Sequence, residues 1–373
     1  MRIVVSGMVA GDPHQGGASW AVLQYVQGLR RLGHEVLLVE PVAAEDLERS
    51  ASASYLQAVA ARFGLEHATL VDPDGNGAPI PSGRLRELLA DAELLLNVSG
   101  MLTVPELLEP VPVRAYLDLD PFFNQHWHLQ GADMRFAAHT HFVTVAGGLD
   151  EPENEVPTLG LDWIETLPPV VLEEWAPASG PPTLPFTTIG HWRSYGPIEH
   201  EGERYGLRAH SLRELIELPR RTRAEFLLAL GIHESERDDL GALAANGWRL
   251  ADPAEVAATP DRYRDFVRAS QGEIGIAKEG YVRSRSGWFS DRSACYLACG
   301  RPVVAQDTGF GRALPVGEGL LAFGTVEEAA AAVEDVLARP DAHRRAARAI
   351  AEELLDSDRV LGRLLERLGA SGR

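Results

Sequence analysis

The chain has 373 residues, too many for one compact core, so two domains of Rossmann size are the natural division. Its hydrophobic share of 45% is ordinary for a globular protein, and no run approaches the ~20 apolar residues that a bilayer span needs. The formal net charge of −19 is spread along the chain and leaves no basic face, so nucleic acid is not expected as a partner.

The opening runs straight into a strand-like segment, without the basic region, long apolar core and cleavage site of a signal peptide, and a cytoplasmic location is expected. Residues 2–9 are a continuous apolar run, fitting a strand buried on both faces. A glycine-containing loop and a helix over about 18–32 follow. Further strands are expected at 34–42, 67–71, 93–98, 113–119 and 141–145, with helices at 45–63 and 84–90. Strands alternating with helices imply a parallel sheet covered on both faces. Proline then dominates 151–185, where it removes donors and disfavours helix; this reads as a connector, with the domain boundary between Pro177 and Pro182.

The alternation resumes with strands at 186–190, 225–230, 248–250, 273–277, 301–305 and 320–323, and helices at 212–216, 260–270 and 291–299. Two closing helical stretches begin at about Val326 and Asp341, the last ending beyond Leu365. Cys295 and Cys299 share one helical face, with no third ligand at zinc spacing, and read as small core residues. Lys278 is the only lysine; every other side-chain cation apart from histidine is arginine. Either chance or a need for a compact ammonium explains it.

Five segments carry candidate chemistry. The loop after the first strand holds His14, Gly16 and Gly17 at the carboxyl end of a sheet, where open α/β folds bind ligands. Its glycines suit either a tight turn or close approach of backbone N–H groups to a ligand, and His14 is either a solvated histidine or a general base. Asp118 and Asp120, two apart at a strand end, share one side; they either cap a turn or bind hydroxyls and act as a base. Arg285, Ser286, Gly287, Ser290 and Asp291 precede a helix and combine an N-cap, a free backbone and a cation, the features of an anion site. Asp307, Thr308, Gly309 and Phe310 form a polar loop after the next strand, suited to a turn or to sugar hydroxyls. Arg193 and the pair Lys278–Glu279 follow strands of the second half, placing cations at the mouth of that sheet.

With these segments placed, the chain resembles glycosyltransferases of the GT-B fold. Gly16-Gly17 starting a helix and Gly33-His34-Glu35-Val36 entering the second strand look like the start of many such enzymes. Leu297 to Val304 is similar to their "A-x-G-x-P-V-V" segment, and Ser286-Gly287-Trp288-Phe289-Ser290 to the diphosphate-holding element of UDP-glycosyltransferases. The helices from Val326 look like an ending in which the last helix crosses back to the first domain. Two departures stand out. The paired glutamates of the retaining group would fall at Gly287 and Cys295, and the diphosphate histidine of the other group is matched by Arg285. Inverting and retaining outcomes both stay open.

The resemblance implies two Rossmann-like domains facing across a cleft: an acceptor-binding domain at 1–178, a donor-binding domain at 179–350 and a terminal helix at 351–373 packing back on the first. It implies sugar transfer from a nucleoside diphosphate to an acceptor, with no cofactor and no metal. Candidate bases are His14, Asp118 and Asp120; the donor would meet Gly16, Gly17, Arg193, Lys278, Glu279, Arg285, Ser286, Gly287, Ser290, Asp291, Asp307, Thr308, Gly309 and Phe310. A sugar-nucleotide 2-epimerase and a catalytically silent partner protein are the competing expectations. Donor sugar, base, acceptor and oligomeric state are left open.

Overall fold

The structure, a computed structural model, describes residues 1–43, 47–177 and 179–370. The expected boundary residue Ala178, the start of the expected 45–63 helix and the last three residues lie outside the described residues.

Two sheets organise the chain. In the first, the strands run in the order Gly77–Ala78, Ala68–Val71, Glu35–Pro41, Arg2–Ser6, Leu94–Val98, Val113–Asp118, His141–Thr144 and Trp163–Glu165. All neighbours are parallel except Gly77–Ala78, which is antiparallel to Ala68–Val71. The second sheet runs Arg249–Leu250, Phe226–Gly231, Leu184–His191, Ser270–Gly275, Val303–Gln306 and Leu320–Phe323, all parallel. The central strands Ile3 to Val5 and Leu94 to Leu96 are wholly buried, as parallel strands covered on both faces must be. Strand order reverses beside Arg2–Ser6 in the first sheet and beside Leu184–His191 in the second. Such switch points open a crevice at the carboxyl ends of the strands.

The two halves share one core. The helix Gly16–Arg31 sets Trp20 against Trp175, ring centroids 4.9 Å apart, and the Trp20 indole donates to Pro260 O at 2.8 Å. The other side of this helix meets Ser357–Arg367. A Cβ on Gly28 would lie 2.5 Å from Leu361, and Arg31 pairs with Asp358 at 3.0 Å.

Several expectations are corrected. The connector is not wholly outside the sheets, because Trp163–Glu165 pairs with His141–Thr144. Helices at Phe123–Leu129 and Arg237–Asn246 and a hairpin of Ile198–His200 with Glu203–Tyr205 went unread. The closing helix does not run unbroken. Pro340–Ile350 passes into a wider turn at Ala351–Leu355, and Asp356 caps a new helix by accepting from Asp358 N at 3.1 Å. The break frees backbone for tertiary pairing: Val170 N donates to Leu355 O at 2.8 Å and Ser357 N to Val170 O at 2.9 Å.

Candidate functional site

The two switch points meet at a cleft of about 630 Å³. His14, Gln15 and Gly17 line it from the first half; Gly190, His191, Gly231, Asp252 and Ala254 line it from the second, with Asp291 and Arg292 at the start of the helix Asp291–Ala298. His191 closes the strand Leu184–His191 and donates from Nε2 to Gln15 Oε1 across the cleft at 3.0 Å. Burial and the nearby Arg208 charge push its pKa below the usual histidine value.

Arg208 was not singled out by sequence. It opens the helix Arg208–Glu214, and its guanidinium donates to His191 O at 2.8 Å and Ile276 O at 2.9 Å, both at strand ends of the second sheet. Among the described residues it makes no ion pair with a carboxylate. Burial and the Arg292 charge lower its pKa to about 10. Gly190 makes room for it: φ is +156° there, and a Cβ would fall 2.3 Å from Arg208 Nη1. Arg292, by contrast, is buried and neutralised by Glu273 at 2.5 Å.

A second cluster adjoins this one. Lys278 ends the segment after Ser270–Gly275 and donates to Asp120 Oδ2 of the first half at 2.7 Å and to Tyr281 Oη at 3.2 Å, as well as to Tyr195 Oη. Tyr195 also donates to Asp120 Oδ2 at 2.6 Å, and Tyr281 donates to Asp120 Oδ1. The ammonium lies 4.4 Å from the Tyr195 ring centroid, 5.0 Å from Phe123 and 5.1 Å from Tyr281. Burial lowers its pKa, and the Asp120 charge opposes that fall. Asp118 is fully buried and accepts from Asn124 at 2.6 Å, Gln125 at 2.8 Å, Thr144 at 3.0 Å and Asp120 N at 3.0 Å. Burial raises its pKa to about 6 against those hydrogen bonds. Its lone pairs are committed to shaping this loop.

Most of the other sequence candidates stand away from the cleft. Gly16 donates its N–H to Ala257 O at 2.7 Å, and Gly17 lies against the Tyr263 ring, so both serve contact between the halves. Arg193 turns to Glu236 at 2.6 Å. Glu279 accepts from Gly206 N at 2.7 Å. Arg285 reaches Asp307 at 3.4 Å, and Asp307 also accepts from Gly309 N at 2.8 Å. Ser286 is buried and donates to Tyr281 O at 3.3 Å; Thr308 donates to Trp288 O at 2.6 Å. Gly287 has φ +69°, and a Cβ there would fall 2.2 Å from Gly147 O, so only glycine lets the two halves touch at this point. Ser290 caps the following helix by accepting from Arg292 N at 3.2 Å, and Phe310 packs edge-on against Phe289. Of this group Gly17 and Asp291 line the cleft, and burial raises the Asp291 pKa.

Sequence reasoning also missed Glu40, a buried carboxylate at the end of Glu35–Pro41 that accepts backbone N–H groups from the loop after the first strand. A lone acid at a strand end carries no spacing signal. Arg208 is one arginine among many. Among the described residues no group of three or more His, Cys, Asp or Glu side chains is placed to hold a metal ion, and no helix is long and apolar enough to cross a membrane.

Residues 221–365 match the family described as glycosyl transferase-like. No curated protein matches the chain in sequence. Among solved structures, an alpha-glucosyltransferase in complex with UDP superposes with a TM-score of 0.65 at 12% identity, covering 99% of this chain and 100% of that one. The Anabaena HepE protein in complex with UDP and glucose gives 0.63 at 11% identity, with 100% of each chain covered. Sucrose-phosphate synthase from Thermosynechococcus elongatus gives 0.57 at 13%, again with 100% of each. At these identities the likeness fixes the fold, which is GT-B. One expectation falls here. An alpha-glucosyltransferase of the same fold, TM-score 0.63 and 13% identical over 99% of each chain, is found with UDP-glucose and DNA. The acidic balance therefore does not exclude nucleic acid as a partner, because a ligand surface is built locally and net charge does not report it.

Proposed function

Taking the chain as a glycosyltransferase of the GT-B fold, we propose that it transfers a sugar from a UDP-type nucleoside diphosphate sugar to an acceptor hydroxyl, with the donor in the 630 Å³ cleft. The observation that carries this reading is Arg208: a guanidinium without a carboxylate partner among the described residues, held by two strand-end carbonyls where the second sheet changes direction. A diphosphate beside it would meet a fixed cation, and charge builds on that diphosphate as the glycosidic bond breaks. The nucleoside would extend past Gly231 towards Asp252 and Ala254.

His14 is the base candidate that lines the cleft. Asp118 is fully buried with its oxygens engaged by four donors, and Asp120 is held by Lys278 and two tyrosines, so neither carboxylate is open to an acceptor hydroxyl. Acceptor binding is assigned to 1–178 and donor binding to 179–350, with 351–373 returning to the first domain; the Arg31–Asp358 pair supports that return. The donor site is read as metal-independent because Arg208 supplies the charge. Two free, buried cysteines fit a cytoplasmic setting.

The test is a thermal-shift screen of nucleotide sugars, followed by release of nucleoside diphosphate in the presence of an acceptor panel. Binding to the native state raises apparent stability by about 2.7 kcal/mol at 100-fold excess over Kd. Stabilisation by a nucleotide sugar that is lost in Arg208→Ala supports the reading; no stabilisation by any nucleotide sugar overturns it.

A further inference from the structure

We infer that Glu40 is a positioning residue of the cleft: its carboxylate fills the nest of backbone N–H groups formed by Val9, Ala10 and Gly11, and so fixes the loop that carries His14 and Gln15. The inference rests on reading the cleft as the donor site.

Glu40 is fully buried on the strand next to Arg2–Ser6. Its Oε1 accepts from Val9 N and Ala10 N, each at 2.9 Å, and from Gly11 N; its Oε2 accepts from Ala10 N at 2.8 Å. Three successive amides turned onto one carboxylate make the concavity that, in many folds, receives a ligand's anion. Here the acceptor is a side chain of the protein itself. The amides are spent on Glu40 and cannot receive a second acceptor, so the donor diphosphate is left to the Arg208 side.

The same loop is tied across the cleft at two further points. Ser19 Oγ donates to Val9 O at 3.1 Å and lies 3.1 Å from Tyr55 Oη, which donates to Ala258 O of the second half at 3.2 Å. Beyond Gly11, Gln15 Oε1 accepts from His191. Losing the Glu40 anchor would therefore displace Gln15 against His191 without removing any group that lines the cleft.

Glu40→Gln tests this. The amide keeps the size of the side chain but offers one acceptor oxygen and turns an NH₂ group onto the amides. Two readouts are taken on the full chain: hydrogen exchange of the peptide covering Val9 to Gly11, and the Kd for UDP by calorimetry. The expected result is at least about tenfold faster exchange confined to that loop and roughly tenfold weaker UDP binding, with partial recovery of both in Glu40→Asp. Unchanged exchange overturns the anchoring. Faster exchange with unchanged UDP affinity overturns the positioning role. If Glu40→Gln does not fold, Glu40→Asp is read by the same two measures. A wild-type chain that binds no UDP overturns the donor reading and the cleft role with it, while the exchange result still decides whether Glu40 holds the loop.

Discussion

Lys278 and Asp120 form an ion pair at 2.7 Å between the two halves of the molecule, enclosed by Tyr195, Tyr281 and Phe123. The chain's only lysine thus has its ammonium spent on protein groups. A compact head fits between three rings where a planar guanidinium does not. Both partners are largely shielded, so removing one leaves the other under-solvated. Lys278→Met and Asp120→Asn are each expected to cost about 1–3 kcal/mol in urea unfolding, and the double variant less than the sum. Additive losses would show that the pair is not coupled. Lys278→Arg is expected to destabilise as well; wild-type stability in that variant would contradict the steric argument.

Arg208→Ala is expected to lower turnover with little effect on the fold. A charge-assisted hydrogen bond to a phosphate is worth about 1.5–3 kcal/mol, which corresponds to roughly 10- to 150-fold in rate. Steady-state release of nucleoside diphosphate, with melting temperature as the control, measures it. Arg193→Ala, whose partner is Glu236, is expected to keep wild-type rates; equal losses in both would move the diphosphate away from Arg208.

Activity is expected to survive chelation. On the proposed reading Arg208 gives the diphosphate a fixed cation, and no cluster of carboxylates or histidines among the described residues is placed to hold a divalent ion beside it. Full activity after dialysis against EDTA agrees with this, and restoration only by Mn²⁺ or Mg²⁺ contradicts it.

Burial raises Glu40 to a pKa of about 7 and Asp118 to about 6. The folded chain therefore retains protons that the unfolded chain has released, and the stability linked to these groups is lost as pH rises through 6 to 7. His126 acts oppositely: burial lowers it to about 4, so its term favours folding as pH climbs towards its unfolded value. The comparison that isolates Glu40 is wild type against Glu40→Gln. The wild-type advantage in melting temperature is expected to shrink between pH 5.5 and 7.5; an advantage that grows would mean the three N–H donors outweigh burial.

The parallel sheets were legible because buried strands such as Ile3 to Val5 and Leu94 to Leu96 are unbroken apolar runs set between helical periods. What escaped has physical reasons. Trp163–Glu165 is a three-residue edge strand inside a proline-rich stretch, too short to show alternation. Phe123–Leu129 begins after Phe122, whose φ of +74° no local pattern announces. At the site, residue type was a poor guide. Gly16 and Gly17 have the look of a phosphate loop, yet they mark close contact with Ala257 and Tyr263. Arg208 and Glu40 matter through what surrounds them, and both sets of surroundings are assembled by strand order.

The last helix also sets an order of events in biosynthesis. Arg31 and its partner Asp358 are 327 residues apart, and Leu361 covers the helix surface at Gly28. A ribosome must deliver the 327 residues that separate Arg31 from Asp358 before that surface can be sealed. Until then one flank of the helix Gly16–Arg31 lacks its cover, and the growing chain carries an apolar surface open to aggregation for as long as that stretch takes to make.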